Sequence, residues 1–314
     1  MSDAPVILRA GGRELSCDQP VLMGIVNATP DSFSDAGLHG SLEERVALAR
    51  TLVADGAAFI DIGGESGVTN RPPVTAAEEI ERVVPLIERV CAELDVRVSV
   101  DTYKPAVARA AVAAGASLVN DVSGLLDPEL ADVCAQSGAA LVIMHTRARP
   151  KEKLLDPGFD GRIRADVASF LAERIAMAVD RGVSEEQIVL DPGPDFGKTP
   201  AQTIDVLAAL EDLRSFARPV MLAVSRKDFI GALTRRAPRE RLAGTLAAVG
   251  HGVQAGAHLL RVHDVAAARD YLLVRAALRR EIDVAPGLRL AEAVRWQPGD
   301  GADPAATPSQ PLDS

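Results

Sequence analysis

Aromatic side chains are scarce in this sequence, positive charge is in deficit, and long apolar runs are missing. No stretch reaches the roughly 18–20 consecutive apolar residues that a membrane-spanning helix needs. The first residues, MSDAPVILRAGGRELS, have neither the basic start nor the apolar centre of a secretory leader. No membrane partner is expected, and the chain reads as a soluble cytoplasmic protein. A formal net charge of −10 excludes the surplus of Lys and Arg that a nucleic acid would recruit. No nucleic-acid partner is therefore expected, and any anionic ligand must be held by local positive charge. The three cysteines, Cys17, Cys91 and Cys134, lack metal-type spacing and read as small core or surface thiols. Aromatics make up 3% of the residues, so Phe33, Phe196 and Phe229, which fall near strand ends, stand out. No G-x-G-x-x-G follows the first apolar run, so that run does not open a dinucleotide-binding unit.

What is present is apolar substance and a repeated pattern. With 314 residues and 47% hydrophobic content, the chain can bury a sizeable core. From Val21 onward a short apolar run, a polar loop and an amphipathic helix recur in eight rounds. The predicted strands are Val21–Val26, Ala58–Ile62, Val96–Val100, Ser117–Val119, Ala140–Met144, Ile188–Leu190, Val220–Val224 and His258–Val262. The predicted helices are Leu42–Ala54, Ala76–Leu94, Pro105–Ala114, Pro128–Gln136, Gly161–Arg181, Pro200–Ser215, Arg239–Ala255 and Ala266–Arg280. Glycines follow several helices (Gly56, Gly115, Gly138, Gly182, Gly256), as residues that end a helix in a left-handed conformation do. Eight such units imply an α/β fold, a single (β/α)8 TIM barrel, with a doubly wound open sheet as the fallback. Residues 1–20 then form an N-terminal extension, a lid or short hairpin at the barrel bottom. The barrel covers residues 21–283, and residues 284–314 form a C-terminal extension that is largely disordered from about Gln297.

In a barrel the loops at the C-terminal ends of the strands carry the site. Those ends read Asn27; Asp61 and Glu65 in DIGGES; Asp101 in SVDT; Asn120 and Asp121; His145; Asp191; Ser225, Arg226 and Lys227; and Arg261, His263 and Asp264. A barrel built only for stability has no reason to end every strand in a polar or charged group. Asp61 reads as a buried acceptor for the backbone N–H groups of the Gly63–Gly64 turn. Asp101 and Asp191 read as ligand-facing, because Pro105 and Pro200 place the next helices too late for them to act as caps. His145 is open between a packed core histidine and a ligand contact. Lys227, directly after an apolar strand, must reach an acceptor or be buried without one. Arg261 and His263 alternate with Val262 and so face one side of the last strand. With Asn27 on the adjacent first strand they form a small cationic patch beside an amide oxygen, suited to a phosphate or pyrophosphate and a hard metal ion.

These segments, IVNATPDSFSDAG, DIGGES, EEIERVVPLI, SVDT, VNDVSG, DPG-x-x-FGK, VSRKDFIG and LLRVHDV, resemble the dihydropteroate synthases in order and spacing from about Val21 to Arg280. The resemblance implies a transferase of folate biosynthesis. It joins 6-hydroxymethyl-7,8-dihydropterin pyrophosphate to p-aminobenzoate, with Mg2+, and releases dihydropteroate and pyrophosphate. By the same matching, Asp101, Asn120, Asp191 and Lys227 hold the pterin. Asn27, as metal ligand, acts with Arg261 and His263 on pyrophosphate and Mg2+. Ser225 and Phe196 border p-aminobenzoate, and Asp35 belongs to the first loop. Barrels of this type often pair through their outer helices, so a homodimer is expected.

The chain departs from the family in three loops. Where the family continues Glu-Ser with Thr-Arg-Pro-Gly, this sequence has Gly67-Val68-Thr69-Asn70-Arg71, which leaves Arg71 as the catalytic cation available from the second loop. Asp195 stands before Phe196 where a Gly is common. The fifth loop carries Arg147, Arg149, Lys151 and Lys153 in place of a glycine and methionine pattern. The alternative at this point is a pterin-binding paralogue with weak or no synthase activity. A methyltetrahydrofolate-dependent methyltransferase fits less well, because it has no use for the anion patch.

Overall fold

The computed structural model describes residues 6–29, 40–67, 72–291 and 294–295. Two compact units divide the chain, Met1–Leu272 and Leu273–Ser314. In the second, Glu281 accepts from Arg275 at 2.9 Å and Arg279 at 2.6 Å. The C-terminal tail expected from Gln297 lies outside the described residues.

The first unit opens with an antiparallel hairpin, β1 (Ile7–Ala10) and β2 (Arg13–Ser16). Eight parallel strands follow: β3 (Val21–Asn27), β4 (Phe59–Gly63), β5 (Arg97–Asp101), β6 (Leu118–Asp121), β7 (Ala140–Met144), β8 (Ile188–Asp191), β9 (Met221–Leu222) and β10 (Leu259–Val262). They pair in sequence order from β3 to β8, and β10 lies between β3 and β9. A bridge between Leu190 and Val220 and the bond from the Leu190 N–H to the Pro219 carbonyl (2.9 Å) bring β8 to β9 and close the barrel. The helices are α1 (Leu42–Ala54), α2 (Ala76–Glu93), α3 (Pro105–Ala113), α4 (Glu129–Ser137), α5 (Ile163–Asp180), α6 (Pro200–Ala208), α7 (Asp228–Thr234), α8 (Leu242–Gln254) and α9 (Val265–Leu278). Two differ from the sequence expectation. The helix read over Pro200–Ser215 breaks after Ala208 into a 3-10 segment, Leu210–Phe216. The seven-residue α7 carries too few turns to show a period.

Strand alternation sorts the core into two layers. Leu22, Val26, Ile60, Ile62, Val98, Val100, Val119, Leu141, Ile143, Leu190, Leu222, Leu260 and Val262 point outward and pack with the helices. Met23, Phe59, Leu118, Ala140, Val142, Val189, Met221 and Leu259 point inward and form the barrel floor together with Leu8, Ala10 and Cys17 of the N-terminal segment. The hairpin therefore plugs the barrel bottom. Its Gly11 N–H donates to the Gly138 carbonyl at 3.0 Å, and burial pushes the Cys17 thiol up to about 11.

Candidate active site

Two residues along the same inner face, the apolar floor becomes a charged wall. Phe59 is succeeded by Asp61, Leu118 by Asn120, Val189 by Asp191 and Leu259 by Arg261. Asp61 is fully buried. Its carboxylate accepts from Ser99 Oγ at 2.5 Å, Asn120 Nδ2 at 3.2 Å and Arg261 Nε at 2.6 Å. This corrects the expectation that Asp61 serves the Gly63–Gly64 turn: its strand position aims it across the barrel. Arg261 Nη2 also donates to Asp101 at 2.7 Å. Burial works against the guanidinium, but the two carboxylates outweigh it and raise its pKa. Burial likewise pushes the Asp101 carboxyl up to about 7, against the pull of Arg261.

Asn120 has one amide end committed to Asp61. Its buried Oδ1 has no hydrogen-bond partner among the described residues. Asp121, its neighbour, faces outward and shapes the following loop, accepting from the N–H groups of Ser123 (2.7 Å) and Leu125 (2.6 Å). Asp191 accepts from the Gly193 N–H at 2.7 Å. Burial raises its pKa, and the Gly193 bond and Lys227 oppose the rise. Gly193 sits at φ +63, and a Cβ there would lie 1.9 Å from the His145 carbonyl oxygen, so no other residue fits this loop.

Lys227 is the N-cap residue of α7 and places its ammonium 4.2 Å from the centre of the Phe196 ring, a cation–π contact. Burial lowers its pKa, and Asp195 and Asp191 resist this. His263 and Ser225 meet at 3.0 Å (Nδ1 to Oγ), and the His263 N–H donates to the same hydroxyl at 3.2 Å. Burial and the nearby Arg226 and Arg261 press the imidazole down to about 3, so it is neutral at neutral pH. The anticipated cationic patch is thus redistributed: Arg261 is paired with two carboxylates and His263 carries no charge. Asn27 ends β3 opposite Gly63 of β4. Asp35 and Arg71 lie outside the described residues.

His145 belongs to the packing. By alternation with Met144 it points outward, where its Nε2 lies 3.0 Å from Asp166 and its ring meets Phe170 edge-on at 5.0 Å. Burial lowers its pKa to about 4.

Lys198 was missed from the sequence, and Glu65 was read there only as a strand-end residue without its partners. Lys198 is buried, and its ammonium donates to the carbonyls of His145 (3.2 Å), Gly193 (2.8 Å) and Phe196 (3.2 Å), fastening the loop after β8. Burial pushes its pKa down to about 7, yet three acceptors match the three N–H bonds of the charged form. The signal was a lone Lys closing a Gly-rich segment, DPGPDFGK. Glu65 gathers Lys104 (2.5 Å), Lys151 (3.1 Å) and Tyr103 Oη (3.1 Å). Lys151 also donates to the Ser66 carbonyl. The rewritten fifth loop therefore reaches the start of the second loop, at Glu65 and Ser66.

The chain matches the model of the family described as pterin binding enzyme over residues 23–263. It is 39% identical to the dihydropteroate synthase of Escherichia coli over 258 residues, covering 82% of this chain and 91% of that relative. The dihydropteroate synthase of Xanthomonas albilineans solved with 4-aminobenzoic acid superposes with a TM-score of 0.80 at 43% identity, covering 88% of this chain and 99% of that one. The structure of the same organism's enzyme with 7,8-dihydropteroate has a TM-score of 0.78 at 44% identity, covering 87% and 98%.

Proposed function

Because the chain belongs to the dihydropteroate synthase family of pterin-binding enzymes, we propose that the rim of its barrel condenses 6-hydroxymethyl-7,8-dihydropterin pyrophosphate with p-aminobenzoate to give dihydropteroate and pyrophosphate. The aryl amine forms a C–N bond to the pterin methylene as the C–O bond breaks. Pyrophosphate leaves with the electron pair, and the new ammonium loses one proton. The observation that carries this reading is the buried, unpartnered Oδ1 of Asn120 in the wall it shares with Asp101 and Asp191. A buried acceptor left open costs free energy until a donor fills it. The amino and ring N–H groups of a pterin supply donors for Asn120, Asp101 and Asp191, and Lys227 supplies one for the pterin carbonyl.

Phe196 and Ser225 border p-aminobenzoate in this reading. Arg261 and His263 face the leaving group, and the neutral His263 offers it a hydrogen bond rather than a charge. Asp35 and Arg71 act from the first and second loops. Mg2+ fits the amide oxygen of Asn27, since it takes hard oxygen donors and draws most of them from phosphate and water. No cluster of three or more His, Cys, Asp or Glu is placed for a metal among the described residues. Bound there, Mg2+ would offset the charge developing on pyrophosphate. A homodimer and a cytoplasmic location complete the reading; no described helix is long and apolar enough to cross a membrane.

The test is pyrophosphate release by the purified protein from the pterin pyrophosphate. Release that depends on p-aminobenzoate is expected, whereas release indifferent to it, or no turnover, overturns the reading. Calorimetry of Lys227→Ala and Asp191→Asn checks the pocket: pterin binding should be lost with the fold intact, and unchanged affinity in both would remove these residues from the site.

A further inference from the structure

The left-handed residue before Phe196 has a purpose that the reaction scheme does not use. Asp195 lies at φ +67, a conformation that is unfavourable for a non-glycine residue and persists only where its surroundings impose it. Its Oδ2 accepts from the N–H groups of Asp228 at 2.6 Å and Phe229 at 3.3 Å, the first two residues of α7. Its Oδ1 accepts from the buried Thr203 hydroxyl of α6 at 3.1 Å, and its own N–H donates to that hydroxyl at 3.0 Å. One carboxylate thus binds the loop after β8 to the start of α7, between Phe196 and Lys227.

From the other side, Arg241 Nη1 donates to the carbonyls of Arg226 (2.9 Å) and Lys227 (3.1 Å) and to Asp228 Oδ1 (2.9 Å). The segment carrying Lys227 is therefore held on both flanks, and the Asp195 flank is the one that also sets the Phe196 ring beneath the ammonium.

We propose that Asp195 is a positioning residue that sets the Phe196–Lys227 pair, and through it the wall shared by the pterin and p-aminobenzoate pockets. This rests on the substrate assignment above. Without the clamp, α7 loses the acceptor at its first two N–H groups, and the Lys227 and Phe196 side chains must be ordered by substrate at each binding event. Binding then weakens for both substrates alike, while the bond-making step, once both are seated, is unaffected.

The experiment compares wild type with Asp195→Gly, Asp195→Asn, Thr203→Val and Lys227→Ala. Glycine removes the carboxylate but relieves the backbone, so the melting temperature should hold. KM for both substrates should rise roughly 5- to 20-fold, with kcat changing less than about twofold. Asparagine keeps an acceptor oxygen and tolerates positive φ, so it should return both constants to within about threefold of wild type. Thr203→Val, which loosens the same carboxylate from α6, should raise both in smaller measure.

Wild-type KM values in Asp195→Gly, or an asparagine variant as impaired as glycine, overturn the proposal. If Lys227→Ala weakens pterin binding while Asp195→Gly does not, only the positioning role fails. If neither weakens it, the substrate assignment fails instead.

Discussion

The two ends of the barrel are made by the same strands and differ by one step of the pleat. At the bottom, Met23, Phe59, Leu118, Val189 and Leu259 close on Leu8 and Ala10 of the hairpin, and the ionisable groups beside them are the buried Cys17 thiol and the Arg97 guanidinium, which lies over the Phe59 ring and donates to the Glu14 carbonyl of the hairpin. At the top, Asp61, Asp101, Asn120, Asp191 and Arg261 occupy the next inward positions. The floor gains from removing apolar surface from water and asks nothing of ligand. The wall buries charges that balance one another only in part, and it leaves an acceptor on Asn120 open. Stability and recognition are thereby assigned to opposite ends, and each can be perturbed separately.

The division breaks most sharply at Arg261. Its replacement by Met strips the buried Asp61 and the partly exposed Asp101 of their shared cation, and removing one partner of a buried ion pair costs about 3–5 kcal/mol. Urea unfolding should show that loss together with at least about a thousandfold drop in turnover, so the rim also holds the fold at this one point. A destabilisation under about 1 kcal/mol would mean that the carboxylates tolerate isolation.

Leu8→Ala probes the floor. A fully buried leucine cut to alanine costs about 2–5 kcal/mol. Below the melting temperature kcat/KM should remain within twofold of wild type, and a parallel loss of activity would show the two ends to be coupled.

His145 sits at the height of the rim but faces the helices, which makes it a test of the alternation itself. Its folded pKa lies near 4, below the ordinary 6.5, so between these values the folded form holds fewer protons than the unfolded chain. The stability that comes from burying a neutral ring is complete above pH 6.5 and is lost as pH falls through about 4, a change of about 3 kcal/mol. His145→Gln should flatten the stability curve in that window and leave the pH profile of kcat/KM unaltered. A shifted activity profile would place His145 in the pocket.

The smallest effect is expected at Lys151. Glu65 keeps Lys104 and Tyr103 when Lys151 becomes Met, so stability should move by well under the about 3–5 kcal/mol that leaving a buried charge unpaired costs. KM for p-aminobenzoate should rise a few-fold while pterin affinity holds, and equal changes for both substrates would show that the contact between the fifth and second loops shapes the whole pocket.

Sequence by itself determined the parts whose cause is local. Apolar runs and helical periods set the eight βα units, and Thr199 and Lys104 stand as caps where Pro200 and Pro105 implied that helices start. Gly56, Gly115, Gly138, Gly182 and Gly256 all have positive φ, as their places after helices required. Inward pointing follows from counting by two, so the ring of strand-end residues was readable before any contact was known.

Only the tertiary structure decided which of those residues meet. Arg261 lies 200 positions from Asp61, and nothing in either neighbourhood selects the other over Asp101, Asp191 or an anionic ligand. Whether His263 carries a charge depends on how much water reaches it and on Arg226 and Arg261 beside it. Lys198, Asp195 and Lys151 act through loops that touch only when the barrel is closed. Short-range chemistry writes elements into a chain, whereas ion pairing, burial and loop contacts depend on distances that exist only after the sheet has curled and its last strand has met its first.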